Sequence, residues 1–84
     1  MTAKRKILQK ILAGSKNIRF SDMVGVAEGF GFRLSRTEGS HHIFVHPEIP
    51  ELLNLQEVGG QAKVYQMRQF LKLVERYSLK LKEE

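Results

Sequence analysis

The chain contains no cysteine and no tryptophan, only two prolines, and nine acidic residues against fourteen lysines and arginines. Without cysteine there is no disulfide frame and no thiolate zinc site, so packing alone, or a partner chain, must hold the fold. The same absence fits a reducing cytoplasm, which is the expected location. No apolar run approaches the ~20 residues that a membrane helix needs. A secretory leader is also not expected, because Ile7 and Leu8 are followed at once by Gln9 and Lys10. The shortage of acid leaves a net charge of +5 and a pI near 9.8. A balance this basic favours an anionic partner, with nucleic acid first, an acidic protein second and a membrane surface third.

What is present makes one small domain of 84 residues, most of whose apolar side chains are committed to its core. Ile7, Leu8, Ile11 and Leu12 recur at helical spacing and predict a short amphipathic helix over Lys4–Ala13, stopped by Gly14. It is expected to pack on the domain rather than stand off as an appendage. Ser15-Lys16-Asn17 reads as a turn and Ile18-Arg19-Phe20 as an extended link. Ser21 as N-cap and Asp22 in the first turn open a second helix, Ser21–Glu28, closed by Gly29 and Gly31. Gly25 lies inside it, at a cost of about 1 kcal/mol against alanine unless a close backbone contact requires it.

Phe32–Thr37 alternates apolar and polar residues, as a half-buried strand does. A turn at Glu38-Gly39 then predicts a hairpin into a second strand, Ser40–His46. Pro47 and Pro50 end that strand and hold a rigid connection, and Leu52–Gln56 reads as a third strand. After Gly59-Gly60 comes the strongest helical pattern, Ala62–Ser78, with Arg68, Lys72 and Arg76 aligned at i, i+4 and i+8. Leu79–Glu84 is charged and expected to fray. The predicted class is α+β, with a three-stranded antiparallel sheet packed against helices on one face and an additional N-terminal helix over residues 1–14.

The chemistry-bearing residues gather at Gly39-Ser40-His41-His42, with His46 four residues on. Side chains alternate along a strand, so His41 and His42 point to opposite faces and are not interchangeable. The apolar run Ile43-Phe44-Val45 leaves open which of them shares the helical face. His42 and His46 would share one, but their Cα atoms stand about 13 Å apart at strand rise, too far for one metal ion. Neither a metal nor another cofactor is expected. Ser40 beside His41 does not make a nucleophilic pair, since adjacent strand residues diverge and no acidic orienter is placed. The bland reading of each histidine is a strand-end side chain with no chemistry.

A helix ending in Gly-Phe, a strand, Gly-Ser-His-His-Ile-Phe-Val-His-Pro, and a last helix after a glycine turn resemble the HicA family of toxins. The resemblance covers roughly residues 20–79. It implies a small mRNA interferase from a toxin–antitoxin pair, with a fold similar to the double-stranded-RNA-binding domain and a HicB-like antitoxin as partner. It also implies that the histidine directly after Gly-Ser, here His41, is catalytic. One departure is Leu55-Gln56-Glu57-Val58, where many members carry a valine-proline-histidine stretch. RNA can be cut without a metal when the 2′-hydroxyl attacks the adjacent phosphate, and histidine serves such proton transfers near neutral pH. Gly39 and Ser40 at the hairpin, Arg36 on the first strand, Lys63 at the last helix and Arg68 and Lys72 along it make the candidate RNA-binding set. Lysine beside a helix N-terminus is how double-stranded-RNA-binding domains grip phosphates, although a basic stripe is more often only a solvated face. Arg76 would extend the stripe of Arg68 and Lys72, while Arg33, like Arg36 on the same strand, is a weaker candidate. Beside a metal-independent endonuclease stand two alternatives: a non-catalytic RNA-binding module, and an interaction protein docking on an acidic partner.

Overall fold

The computed structural model describes residues 3–82. Three helices and four antiparallel strands follow in the order α1 (Ala3–Leu12), α2 (Phe20–Gly29), β1 (Arg33–Glu38), β2 (His41–His46), β3 (Ile49–Val58), β4 (Gln61–Ala62) and α3 (Val64–Arg76). The strands lie side by side in sequence order. The α+β class stands, but the sheet has four strands where three were expected. The extra one is short: Gly59 and Gly60 adopt positive φ, which glycine accepts readily, and turn Gln61 and Ala62 back onto Val58 and Glu57. That pairing delays the last helix to Val64. Lys63 occupies its N-cap position in extended conformation.

The three helices end in the same way. Gly14, Gly31 and Ser78 follow the C-caps with positive φ, and the next amide reaches back to the carbonyl five residues earlier. Ser15 donates to Lys10, Phe32 to Ala27 and Leu79 to Val74, which is the Schellman closure. The left-handed residue turns the chain sharply, so Phe32 drops from the end of α2 into the core beside Phe30. The start of α2 differs from expectation. It begins at Phe20 with Arg19 as N-cap and no side-chain cap, so Ser21 lies within the helix. The entry is fixed instead by backbone: Phe20 donates to the Gly60 carbonyl, Ala62 donates to Ile18, and Arg19 bridges Gln61.

The core lies between the helices and one face of the sheet. Met23, Val26 and Ala27 of α2, Phe44 of β2, Leu53 and Leu55 of β3, and Met67 and Phe70 of α3 are all buried there. Phe70 meets Phe30 edge-on at 5.4 Å and Phe32 at a tilt, 6.0 Å away. Each fully buried phenylalanine contributes about 1.5–3 kcal/mol. The helix α1 packs on α2 through Ile11, Ile7 and Leu8, so it belongs to the core as expected. Gln66 is buried on α3, where its Oε1 accepts the Gln56 N–H from the edge of β3.

Three further expectations are corrected. The strand β1 does not alternate between core and solvent: all six residues are exposed. It is the edge strand beyond the helix-covered part of the sheet, and a bulge between Leu34 and Arg36 breaks its register. The hairpin turn is Gly39-Ser40, one residue later than expected, because Glu38 pairs with His41 and Gly39 takes φ +60. Only Pro47 lies in a connection. Pro50 lies inside β3, which starts at Ile49 and carries extra residues opposite the end of β2. The tail also does not fray over its described part: Leu79 and Leu81 pack on the core and Lys82 donates to Gly29 at 2.8 Å. Glu83 and Glu84 lie outside the described residues.

Candidate functional site

Strand geometry separates the three histidines into two kinds. Phe44 is buried on the helix-covered face, so His42 and His46, two residues to either side, share that face, and His41 occupies the other. His42 meets Phe20 in a tilted ring contact with centroids 4.6 Å apart, and its Nδ1–H donates to the Ser40 carbonyl at 3.1 Å. His46 is buried with both nitrogens engaged. Nε2–H donates to the Phe30 carbonyl at 3.0 Å, and Nδ1 accepts the Glu48 N–H at 3.0 Å. The ring also meets Phe32 edge-on at 5.1 Å. Both are fastenings of the fold.

His41 faces outward from the sheet, half-buried, and its neighbours are set by register. Glu38 lies opposite on β1 and Gln56 opposite on β3. Arg36 and Asn54, both paired with Ile43, are its diagonal neighbours on the same face. The His41 Nδ1 is 3.3 Å from Asn54 Oδ1. An amide oxygen only accepts, so this contact requires a proton on Nδ1, and in the neutral ring Nε2 then carries the lone pair. Arg36 Nε contacts Glu38 Oε2 at 2.6 Å in an exposed pair. The Gln56 side chain donates from Nε2 to Ser40 Oγ at 3.3 Å, which ties the hairpin to β3. One face thus carries an imidazole held through its Nδ1, a guanidinium and two amides.

The candidate residues are not all brought together. Gly39, Ser40 and Arg36 lie with His41. Lys63 is at the same end of the sheet, because β4 joins β3 there, but it holds the N-cap position of α3 in the helix layer. Arg68 and Lys72 project from the exposed side of α3, across the sheet from His41, and Arg76 bonds Glu51 there at 2.8 Å. Arg33 shares the open face at its far end, paired with Val45. Asn54 and Gln56 escaped the sequence reading. Their signal was the alternation Leu53-Asn54-Leu55-Gln56, which puts both amides on one face. Placing them beside His41 also needed the register across the Pro47-Glu48 turn.

A sequence model of the HicA toxin of bacterial toxin–antitoxin systems matches residues 20–75, from the first residue of α2 almost to the end of α3. The chain belongs to the HicA toxin family. No curated protein and no solved structure matches it. Membership makes the chain a toxin of a toxin–antitoxin system, with an antitoxin as its general partner. The match spans α2, the sheet and α3, and leaves α1 and the packed tail outside it. Among the described residues, no helix is long and apolar enough to cross a membrane.

Proposed function

We propose that this HicA chain is a metal-independent RNA endonuclease, an mRNA interferase of a type II toxin–antitoxin pair, in which His41 is the general acid/base. The observation that carries the reading is the His41–Asn54 contact on the open sheet face, which leaves Nε2 as an available base. In the reaction, Nε2 takes the proton from a ribose 2′-hydroxyl as the 2′ oxygen attacks the adjacent phosphorus. The bond from phosphorus to the 5′ oxygen breaks, and the imidazolium returns its proton to that oxygen. The products are a 2′,3′-cyclic phosphate and a 5′-hydroxyl, so atoms and protons balance without a metal. Acid–base assistance of this kind supplies about 10²–10⁴ in rate. The Arg36 guanidinium, diagonal to His41, is suited to hold the phosphate as charge builds on its oxygens. Ser40 and the Gly39 backbone border the same site.

The run from α2 through three principal antiparallel strands to α3 supports a likeness to the double-stranded-RNA-binding domain, in which Lys63 would meet backbone phosphate. Lys63 completes the contact set at the His41 end of the sheet, in the cytoplasm where mRNA is available. A HicB-like antitoxin would neutralise this toxin by covering the open face and with it His41. The test is to incubate purified protein with RNA in the presence of EDTA and analyse the new ends. Cleavage leaving 2′,3′-cyclic phosphate is expected. Uncut RNA bound with a steep salt dependence would replace the endonuclease with a non-catalytic RNA-binding module.

A further inference from the structure

The outer edge of β3 is only partly used. Its far end, Glu57 and Val58, pairs with β4, but among the described residues nothing pairs with the same edge from Pro50 to Leu55. Amide directions along it follow from two bonds. The Glu57 N–H points inward to Ser40 of the hairpin, and the Gln56 N–H points outward, where Gln66 caps it. By alternation the N–H and C=O groups of Asn54 and Leu52 also point outward, and Pro50, on the same phase, has no N–H to leave bare. A stretch of open ladder therefore lies beside α3.

The walls beside this edge form a groove of about 1010 Å³ between β3 and the exposed side of α3. Leu52, Val64 and Tyr65 give it apolar surface, and Leu52 and Tyr65 are 58% and 69% exposed. Arg68 and Lys72 line the α3 side, and neither has a carboxylate partner among the described residues. Glu51 is neutralised by Arg76. An open strand edge beside a helix is the geometry in which an extended peptide adds a strand, with main-chain bonds holding it and alternate side chains read on either side.

We infer that the β3 edge and the Arg68–Lys72 face of α3 dock an extended, acidic segment of a partner protein as an added β-strand. Its acidic side chains fall towards α3 and its apolar ones beside Leu52 on the open sheet face. A nucleic acid would use the two cations but not the alternating N–H and C=O groups or the apolar wall, so a peptide fits more of the surface. This inference does not rest on the His41 reading, because its test reads binding and amide protection and not RNA cleavage.

The probe is a capped, fluorescent peptide of alternating glutamate and valine, titrated by anisotropy into the full chain and followed by amide hydrogen exchange. Saturable binding is expected, with new protection at the Leu52 and Asn54 amides. The same peptide N-methylated at alternate amides, which cannot add a strand, should bind at least about tenfold more weakly. The exposed double variant Arg68→Glu, Lys72→Glu should weaken the parent peptide by about tenfold or more. No binding, equal binding of the N-methylated peptide, or protection that spares Leu52 and Asn54 would overturn the inference. An oligoribonucleotide that protects those amides when the peptide does not would assign the groove to nucleic acid instead.

Discussion

The Nδ1 of His41 lies 3.3 Å from the Oδ1 of Asn54, across the β2–β3 pairing and on the face of the sheet that none of the described helices covers. The contact fixes which ring nitrogen is free, so Asn54 acts as a positioning residue for His41. Replacing it with alanine should lower single-turnover RNA cleavage by about tenfold, a small part of the 10²–10⁴ available from acid–base catalysis. RNA affinity should be unchanged, and Asn54→Gln should recover part of the rate. A purely structural role for Asn54 would lower the melting temperature and leave the rate of the folded protein alone.

His46 and Gly31 form a close pair at the other end of the sheet. A Cβ on Gly31 would stand 2.7 Å from His46 Nε2, and Gly31 holds φ +100. The Gly31→Ala variant should therefore lose stability by roughly 2 kcal/mol or more from strain and clash together. His46→Ala should lose about 1–3 kcal/mol, because it leaves the Phe30 carbonyl without its buried partner. Urea midpoints measure both. Cleavage per folded molecule should be unchanged.

Gly25 offers the opposite sign. It lies within α2, its φ is not in the left-handed region, and a Cβ there meets nothing within 4 Å. No close backbone approach requires glycine at this position. Gly25→Ala should stabilise the protein by about 0.5–1 kcal/mol, a rise of several degrees in melting temperature for a domain of this size. A loss on thermal denaturation would mean that α2 is less regular than its hydrogen bonds indicate.

The helices and the hairpin were legible because their signals are local. Apolar spacing placed α1, α2 and α3 to within a residue or two, and the division of His41 from His42 followed from strand alternation alone. What was not legible depended on partners distant in sequence. Alternation in Phe32–Thr37 reads as a half-buried strand, yet β1 is exposed because it lies beyond the helices and carries a bulge. The short β4 depends on Glu57 and Val58 as pairing partners, which the pattern of Gln61-Ala62 cannot convey. Leu79 and Leu81 looked stranded among lysines, but the left-handed turn at Ser78 carries them back to Gly29 and the core. Asn54 was hidden for a related reason, since its importance lies in the register between β2 and β3.

The account turns on one strand putting two adjacent histidines to different uses. His41→Ala and His42→Ala should therefore be compared in a single experiment, with RNA cleavage and thermal melting measured on the same preparations. The account predicts that His41→Ala loses about 100-fold or more in cleavage, within the range of acid–base catalysis, and melts like the parent. His42→Ala should melt several degrees lower, through loss of its Phe20 ring contact and Ser40 bond, and should still cut RNA when folded. The reverse pattern, with cleavage surviving in His41→Ala and abolished in a stably folded His42→Ala, would contradict it.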